Sequence, residues 1–572
     1  MRRGGREVQP VAGQKRPRET LSSTSNLSTV GSVLVRFQAM GETSTSSASA
    51  AIDVPLDVSV EQLNLLLARY ILQTPEGEED PHAFFVGNDH LTVSDGLDKD
   101  ATAGKLGTIE ISDTLQNALE SQSKNASGVK GAAIVSERVH VIRYQPLSVF
   151  RVLPVTRCSD TLPGHTDAIL HVSFSPSGRL LASGGGDCIV RIWDSTTCLP
   201  KSIIKGHSSH ILYTAWSPCG LYLASADRNG QVLVWDPLTA TSVCKALKGH
   251  KSWVTALAWE PLHLSGHKGG ASSGVEGCSL LASAGKDGIV RVWNVRSGAL
   301  QFSVSGHNDS IECLKWGGQG EGLIFTGSRD RTVCVWAVNS TRESVKHIRT
   351  LSGHGHRINS LALNTDALCR TGAFDAAKAS TSGGTKAAID RTSLSSSSLV
   401  GIVEAAKLRY DAGLKAMGGV EMLVSCSDDF TLFLWTPGDS KKAVVRLTGH
   451  QQVVNHISFS PDGRFIVSAS FDKKVKLWCG HTGRFLASFD GHVGPVYQVC
   501  WSADSRFLAS GSKDSTCKVW SISSTTDKKV GRPKALTTLS GHADEVYALD
   551  WSPAGDVMAS GGRDRLVKFW RH

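Results

Sequence analysis

Long apolar runs are missing from this chain. No stretch of 18 apolar residues occurs in its 572, so no helical membrane span is expected. The thirteen cysteines contain no Cys-x-x-Cys and no regular pairing. That excludes a zinc ribbon and a disulfide framework, and predicts reduced thiols in cytosol or nucleus. There is no Gly-x-x-x-x-Gly-Lys-Ser/Thr loop, no spaced Cys/His set and no unrepeated Ser/His/Asp group, so no enzyme and no cofactor of its own are expected. The basic amino terminus is followed by polar residues rather than an apolar core, so no signal peptide is expected and the sequons at Asn125 and Asn308 carry little meaning.

What is present is a phrase repeated eight times between Gly164 and Trp570. Its plainest copy runs Leu162-Pro163-Gly164-His165, an apolar strand, Ser175-Pro176-Ser177-Gly178, Leu181-Ala182-Ser183, Asp187 and Ile192-Trp193-Asp194. The Gly-His pair returns at His207, His250, His307, His354, His450, His492 and His542. The closing tryptophan returns at Trp235, Trp293, Trp336, Trp435, Trp478, Trp520 and Trp570. Each copy offers short apolar runs between turn residues, and one such sheet cannot bury both faces alone. Radial stacking buries them and leaves only short edges. The pattern is that of WD40 repeats, and it predicts an eight-bladed β-propeller.

The polar members have a structural role. Ser or Thr stands four residues before the aspartate position in every copy, and the aspartate position stands six before the tryptophan. A buried chain of hydrogen bonds from Trp to Ser, His and Asp is therefore expected. It is spelled out in full by His165, Ser183, Asp187 and Trp193, and again by His450, Ser468, Asp472 and Trp478. His492, Ser510, Asp514 and Trp520 repeat it, as do His542, Ser560, Asp564 and Trp570. Copy two has Asn229, a weaker acceptor, at the aspartate position. Eight copies of one catalytic triad would be redundant, whereas eight blades each need such a network. Two residues after Trp570 the sequence stops, leaving the last blade one strand short, and the apolar Phe150–Cys158 is predicted to supply it and close the ring.

Three regions follow: a basic tail at 1–31, a small domain at 32–147 with inserts at about 87–107 and 122–136, and the propeller at 148–572 with inserts at about 263–279 and 369–419. The tail is poor in apolar residues and is expected to be disordered; its Lys15-Arg16-Pro17-Arg18 has the composition of a nuclear import signal or of a solvated charge cluster. In the small domain Val33–Phe37, Ile52–Val58, His82–Val86, Thr108–Ser112 and Arg138–Tyr144 read as strands. Ser59 and Gln62 form a capping box ahead of Val60, Leu63, Leu66, Leu67 and Ile71 at helical spacing. The order β-β-α-β-β-β suits a ubiquitin-like β-grasp. Asp98-Lys99-Asp100 fails as a calcium loop, because Ala103 stands where glycine is needed and Ile109 where glutamate is needed. In the longer propeller insert Val400–Met417 has helical spacing. Charge is unevenly divided: Val33–Glu120 holds 4 Lys and Arg against 15 Asp and Glu, whereas Arg151 onward holds 47 against 34. An acidic small domain is tethered to a basic ring, and basic surfaces attract phosphate backbones or acidic proteins.

Several non-repeat phrases carry a closer resemblance: Tyr144-Gln145-Pro146, Pro154-Val155-Thr156-Arg157-Cys158, Trp259-Glu260-Pro261-Leu262-His263, Arg370-Thr371-Gly372-Ala373-Phe374 and Asp428-Asp429-Phe430-Thr431-Leu432. With them the chain resembles the Notchless family of ribosome-assembly factors over roughly 33–572, less the inserts. The resemblance implies a nucleolar and nucleoplasmic factor acting on precursors of the large ribosomal subunit. It implies a β-grasp domain gripped by the adhesion-type magnesium site of the AAA ATPase Midasin, which then drives remodelling and release. The carboxylate completing that partner's Mg²⁺ shell matches Glu110 in Ile109-Glu110-Ile111-Ser112; an ungapped alignment would place His90 there. No membrane partner is expected, and a monomer is.

Basic residues beside the tetrad aspartates share a face of the ring: Arg228, Lys286, Arg329, Arg331, Lys473, Lys474, Lys513, Arg563 and Arg565. They are candidates for binding ribosomal RNA or an acidic ribosomal protein. Tyr213, Trp253, Tyr497 and Tyr547 are candidate protein contacts. A competing reading is a substrate receptor of a ubiquitin ligase. It rests on one imperfect motif, Trp293-Asn294-Val295-Arg296, and the β-grasp lacks the terminal Gly-Gly that conjugation needs.

Overall fold

A computed structural model describes residues 32–39, 52–67, 82–86, 109–111, 115, 119 and 139–146, then 151–572 apart from 266–277, 321, 339–343, 376–395, 439 and 523–533. The tail, Lys15–Arg18 and the inserts expected at 87–107 and 122–136 lie outside the described residues. The chain divides into two compact units, Met1–Val149 and Phe150–His572.

In the first unit β1 (Ser32–Ala39), β2 (Ile52–Pro55), β3 (His82–Val86), β4 (Ile109–Glu110) and β5 (Val139–Pro146) form one sheet in the order β2-β1-β5-β3-β4. The central pair, β1 with β5, is parallel and the other pairs are antiparallel, the arrangement of a β-grasp. The helix α1 (Val60–Leu67) starts at the capping box: Ser59 N–H donates to Gln62 Oε1 (3.0 Å) and Gln62 N–H to Ser59 Oγ (3.4 Å). Its Leu63 and Leu67 join Val33, Val35, Phe37, Phe84 and Ile142 in the core.

The second unit is a ring of eight sheets of four strands, the second sheet carrying its outer strand in two pieces. Inner strands touch in a closed cycle, from Ile169–Phe174 through to Val546–Trp551 and back. Alternate residues of each strand face the two neighbouring blades, which is why runs such as Leu423–Ser427 and Leu432–Trp435 are buried throughout. Every inner strand starts at a Gly-His loop, so the ring has a histidine-side mouth and an opposite mouth where those strands end.

Closure occurs one step later in the chain than expected. The strand that completes blade eight is β6 (Arg157–Leu162), paired from Leu162 with Val567 to Arg157 with Arg571. The apolar residues that suggested Phe150–Cys158 do other work: Val152 and Val155 are buried among Cys500, Leu549 and Trp570, between blades seven and eight. An outermost strand has one edge in water, so the polar run Arg157-Cys158-Ser159-Asp160-Thr161 suits it better. Among the described residues the insert of blade five contains two helices, α2 (Asp366–Thr371), which has no periodic signal in the sequence, and α3 (Ser396–Ala416), which contains the predicted Val400–Met417 save its last residue. Among the described residues no helix is long and apolar enough to cross a membrane.

Candidate functional site

The histidine-side mouth is built eight times from one hydrogen-bonded chain. In blade one Trp193 Nε1–H donates to Ser183 Oγ (2.9 Å), which leaves the serine proton for His165 Nε2 (2.8 Å) and the Nδ1 proton for Asp187 (2.9 Å). The tryptophan-to-hydroxyl step is 2.7–3.0 Å in all eight blades. The histidine-to-aspartate step is 2.7–3.0 Å in seven. The same aspartate receives the backbone N–H after the histidine, Thr166 at 3.1 Å in blade one, and so ties the Gly-His loop to the turn between the second and third strands. Burial, the largest single influence, would raise these carboxyls, but the histidine's bond and charge together with backbone and hydroxyl hydrogen bonds outweigh it and hold them below the usual carboxylate range, as in Asp187, Asp330 and Asp514. The serine hydroxyls are fully buried and already hydrogen-bonded, so they are not nucleophiles open to a substrate.

Blade two corrects the sequence reading. Its carboxylate is Asp227, two residues before Asn229: Asp227 Oδ2 lies 3.2 Å from His207 Nδ1, at an angle that gives neither atom a hydrogen bond. Asp227 Oδ1 accepts the N–H groups of Asn229 (3.0 Å) and Gln231 (2.8 Å). Asn229 itself turns outward to Ser208 Oγ (3.1 Å). A fixed spacing hid this exchange, because the substitute acceptor comes from the other side of the turn.

The nine basic candidates all lie on these turns or next to them, but they do not form one patch. Arg329, Lys474, Lys513 and Arg563 approach Asp309, Asp490, Glu545 and Asp544 at 3.6–3.9 Å. Arg228 and Lys286 stand over the Trp253 ring, 4.4 and 3.7 Å from its centroid. Arg331, Lys473 and Arg565 are exposed and have no ion-pair partner among the described residues. They occupy blades four, six and eight at one equivalent position, where φ is 73°, 70° and 67°. Phe430 holds the same position in blade five at φ 67° and is 41% exposed. Left-handed backbone costs a side chain about 1–2 kcal/mol, which glycine avoids, as Gly230 and Gly288 do in blades two and three. Tyr497 and Tyr547 lie against one another, 5.6 Å between centroids, beside Glu545.

In the first unit Glu110 lies on β4, an edge strand of the sheet among the described residues, opposite Phe85. Ile111 N–H donates to Phe84 O (2.8 Å) and continues the pairing past it.

Eight four-stranded sheets, seven of them locked by a complete Trp–Ser/Thr–His–Asp chain, define a WD40 propeller protein. The profile described as WD domain, G-beta repeat matches residues 156–194, 198–236, 241–294, 298–337, 441–479, 483–521 and 533–571; blade five, split by its insert, is not among them. The chain is 42% identical to Protein Notchless of Drosophila melanogaster over 73% of its own length and 72% of that protein's. It is 38% identical to Ribosome assembly protein 4 of Saccharomyces cerevisiae (80% and 79%) and 46% identical to the Notchless protein homolog of Arabidopsis thaliana (62% and 67%). The chain belongs to this Notchless and Ribosome assembly protein 4 family. A computationally designed protein, Ika8, shares the fold over 73% of this chain and all of its own, at TM-score 0.51 and 22% identity.

Proposed function

We propose that this protein is a non-enzymatic assembly factor for the large ribosomal subunit, acting in the nucleolus and nucleoplasm. The observation that carries the reading is the 38% identity to a protein named Ribosome assembly protein 4 over 80% of the chain. In this reading the ring docks on the pre-ribosome, and its unpaired Arg331, Lys473 and Arg565 meet phosphate or acidic side chains. The β-grasp unit is the handle for a Midasin-type AAA ATPase. Magnesium takes six oxygens in near-octahedral geometry, and a partner's site that supplies fewer leaves a position for one carboxylate delivered from outside. Glu110 suits that role because an outermost strand can approach another protein without unpacking the sheet's core. The acidity of Val33–Glu120, 15 acidic against 4 basic residues, steers the unit toward a cation. ATP hydrolysis by the partner then drives remodelling and release.

The test is capture of the full chain by the metal-site domain of Midasin, with Mg²⁺ and with chelator. Binding is expected only with Mg²⁺, and loss is expected in both Glu110→Ala and Glu110→Asp. Binding indifferent to metal and to residue 110 would remove the handle from the mechanism and leave a ring-based scaffold.

A further inference from the structure

The mouth opposite the histidines is crossed by the chain's own α2. At one end Asp366 accepts from Lys315 Nζ (2.9 Å) on the inner strand of blade four. At the other end Arg370 reaches blades eight and one together. Its Nη1 donates to Asp550 Oδ1 (2.9 Å), and its Nη2 to Asp550 Oδ2 and to Phe174 O (3.1 Å). Asp550 Oδ2 also accepts the Phe174 N–H (2.7 Å). Asp550 belongs to the inner strand of the last blade and Phe174 to that of the first. From Asp366 to Arg370 the helix rises about 6 Å, and the long side chains of Lys315 and Arg370 extend the reach across the mouth.

The rest of the insert holds this bridge down. Gly372, at φ 55°, lies so near Pro218 O that a Cβ there would come within 2.7 Å of it, which fixes the turn against blade two. Arg409 of α3 donates to Thr371 Oγ1 (2.5 Å) and Gly372 O (2.9 Å). Val403 and Ala406 pack with Cys219 and Leu262 of blades two and three, and Tyr410 stacks on His263 with centroids 4.0 Å apart. Glu421 accepts from Thr365 Oγ1 (2.6 Å) and Gly318 N–H (3.0 Å), joining blades four and five.

We propose that the blade-five insert is a second closure of the ring, a strut whose Arg370 latches the seam between the first and last blades from inside. Outside, that seam is closed by β6 pairing with Val567–Arg571 and by Arg571 reaching Ser195 O of blade one. The chain reaches that strand through Val152 and Val155, wedged between blades seven and eight, so a pull on the amino-terminal unit loads this wedge and then β6 on blade eight. The proposed function supplies only the source of that load; the latch stands on the contacts themselves. An Arg fork on a carboxylate and a carbonyl resists such opening better than a point charge does.

Amide exchange of the isolated full chain tests it without any ATPase. In Arg370→Met the strands Ile169–Phe174, Val546–Trp551 and Val567–Arg571 are expected to exchange at least about fivefold faster than in the parent. Val254–Trp259 and Val454–Phe459, which the insert reaches through α3 and Met417 rather than Arg370, should stay within about twofold. Arg370→Lys keeps the charge without the fork and should give the same pattern at smaller size; it decides the matter if the methionine variant does not fold. Equal acceleration in all five strands, or none, overturns the latch. Either result leaves the magnesium-dependent capture at Glu110 untouched, so the two ideas fail separately.

Discussion

At the histidine-side mouth, seven near-identical networks and a modified one in blade two each hold one loop to one turn, and none bonds to the next. At the opposite mouth, one insert from blade five touches blades one, two, three, four, six and eight through hydrogen bonds, ion pairs and packing contacts that occur once each. The first mouth is modular and the second is a single strut. In a ring of stacked repeats, stability is near a sum of blade terms and neighbour terms. The strut adds a term between blades that are not neighbours. The difference is a division of labour: the repeated mouth sets each blade, and the unique mouth sets the ring.

The sharpest way to break that comparison is to damage the same network in two blades. Trp435 and Trp478 are both buried and both donate to a serine, at 2.9 and 3.0 Å. Replacing either by alanine should cost about 3–5 kcal/mol, read from denaturant midpoints. If the histidine-side mouth is modular, the two losses agree within about 0.5 kcal/mol, although the blade-five network spans the whole insert between His354 and Ser425. A clearly larger loss for Trp435→Ala would mean that the strut depends on its own blade's network, and the two mouths would no longer be separate.

How much of this was legible in the sequence follows the same division. Ring, blade count and seven of the eight networks could be read because each copy repeats its residues at fixed spacing. The β-grasp was legible from Ser59 and Gln62 and from the leucines that follow. Asp227 was missed because one blade draws its carboxylate from another position in the turn. Apolarity alone points to a closing strand that begins too early, because Val152 and Val155 are wedges between blades rather than strand residues. The strut was invisible because a six-residue helix has no period to detect. Arg370 stood out only as part of a resemblance. Of the candidate surface, the positions of the cations on their turns could be foreseen, but not which of them would meet a carboxylate.

A middle-sized test sharpens the account of the repeated mouth. Asp227→Ala removes the acceptor of two backbone N–H groups and the anion facing His207, and should cost about 1–3 kcal/mol. Asn229→Ala, at the position the spacing favours, removes one exposed contact to Ser208 and should cost less than about 0.5 kcal/mol. Thermal or urea unfolding of the two variants ranks them. A reversed order would restore Asn229 as the network's acceptor in blade two.

The smallest effect separates what the repeated mouth does for the fold from what it offers a partner. Arg331 has φ 73°, a conformation an L side chain enters at a cost, and no carboxylate partner among the described residues offsets it. Arg331→Gly relieves that strain while giving the unfolded chain more freedom, so the two terms nearly cancel. The variant should match the parent or exceed it by up to about 1 kcal/mol in urea unfolding. If the proposed docking face is right, its affinity for pre-ribosomal particles should fall, and the salt dependence of binding should flatten, because one cation has been removed from that face. Adding Lys473→Gly and Arg565→Gly should deepen that loss with no loss of stability. A triple variant that is no less stable and binds particles as the parent does, with the same salt slope, would show that these turns merely tolerate their cations. The docking surface would then lie elsewhere on the ring, with the paired aromatics Tyr497 and Tyr547 the next place to look.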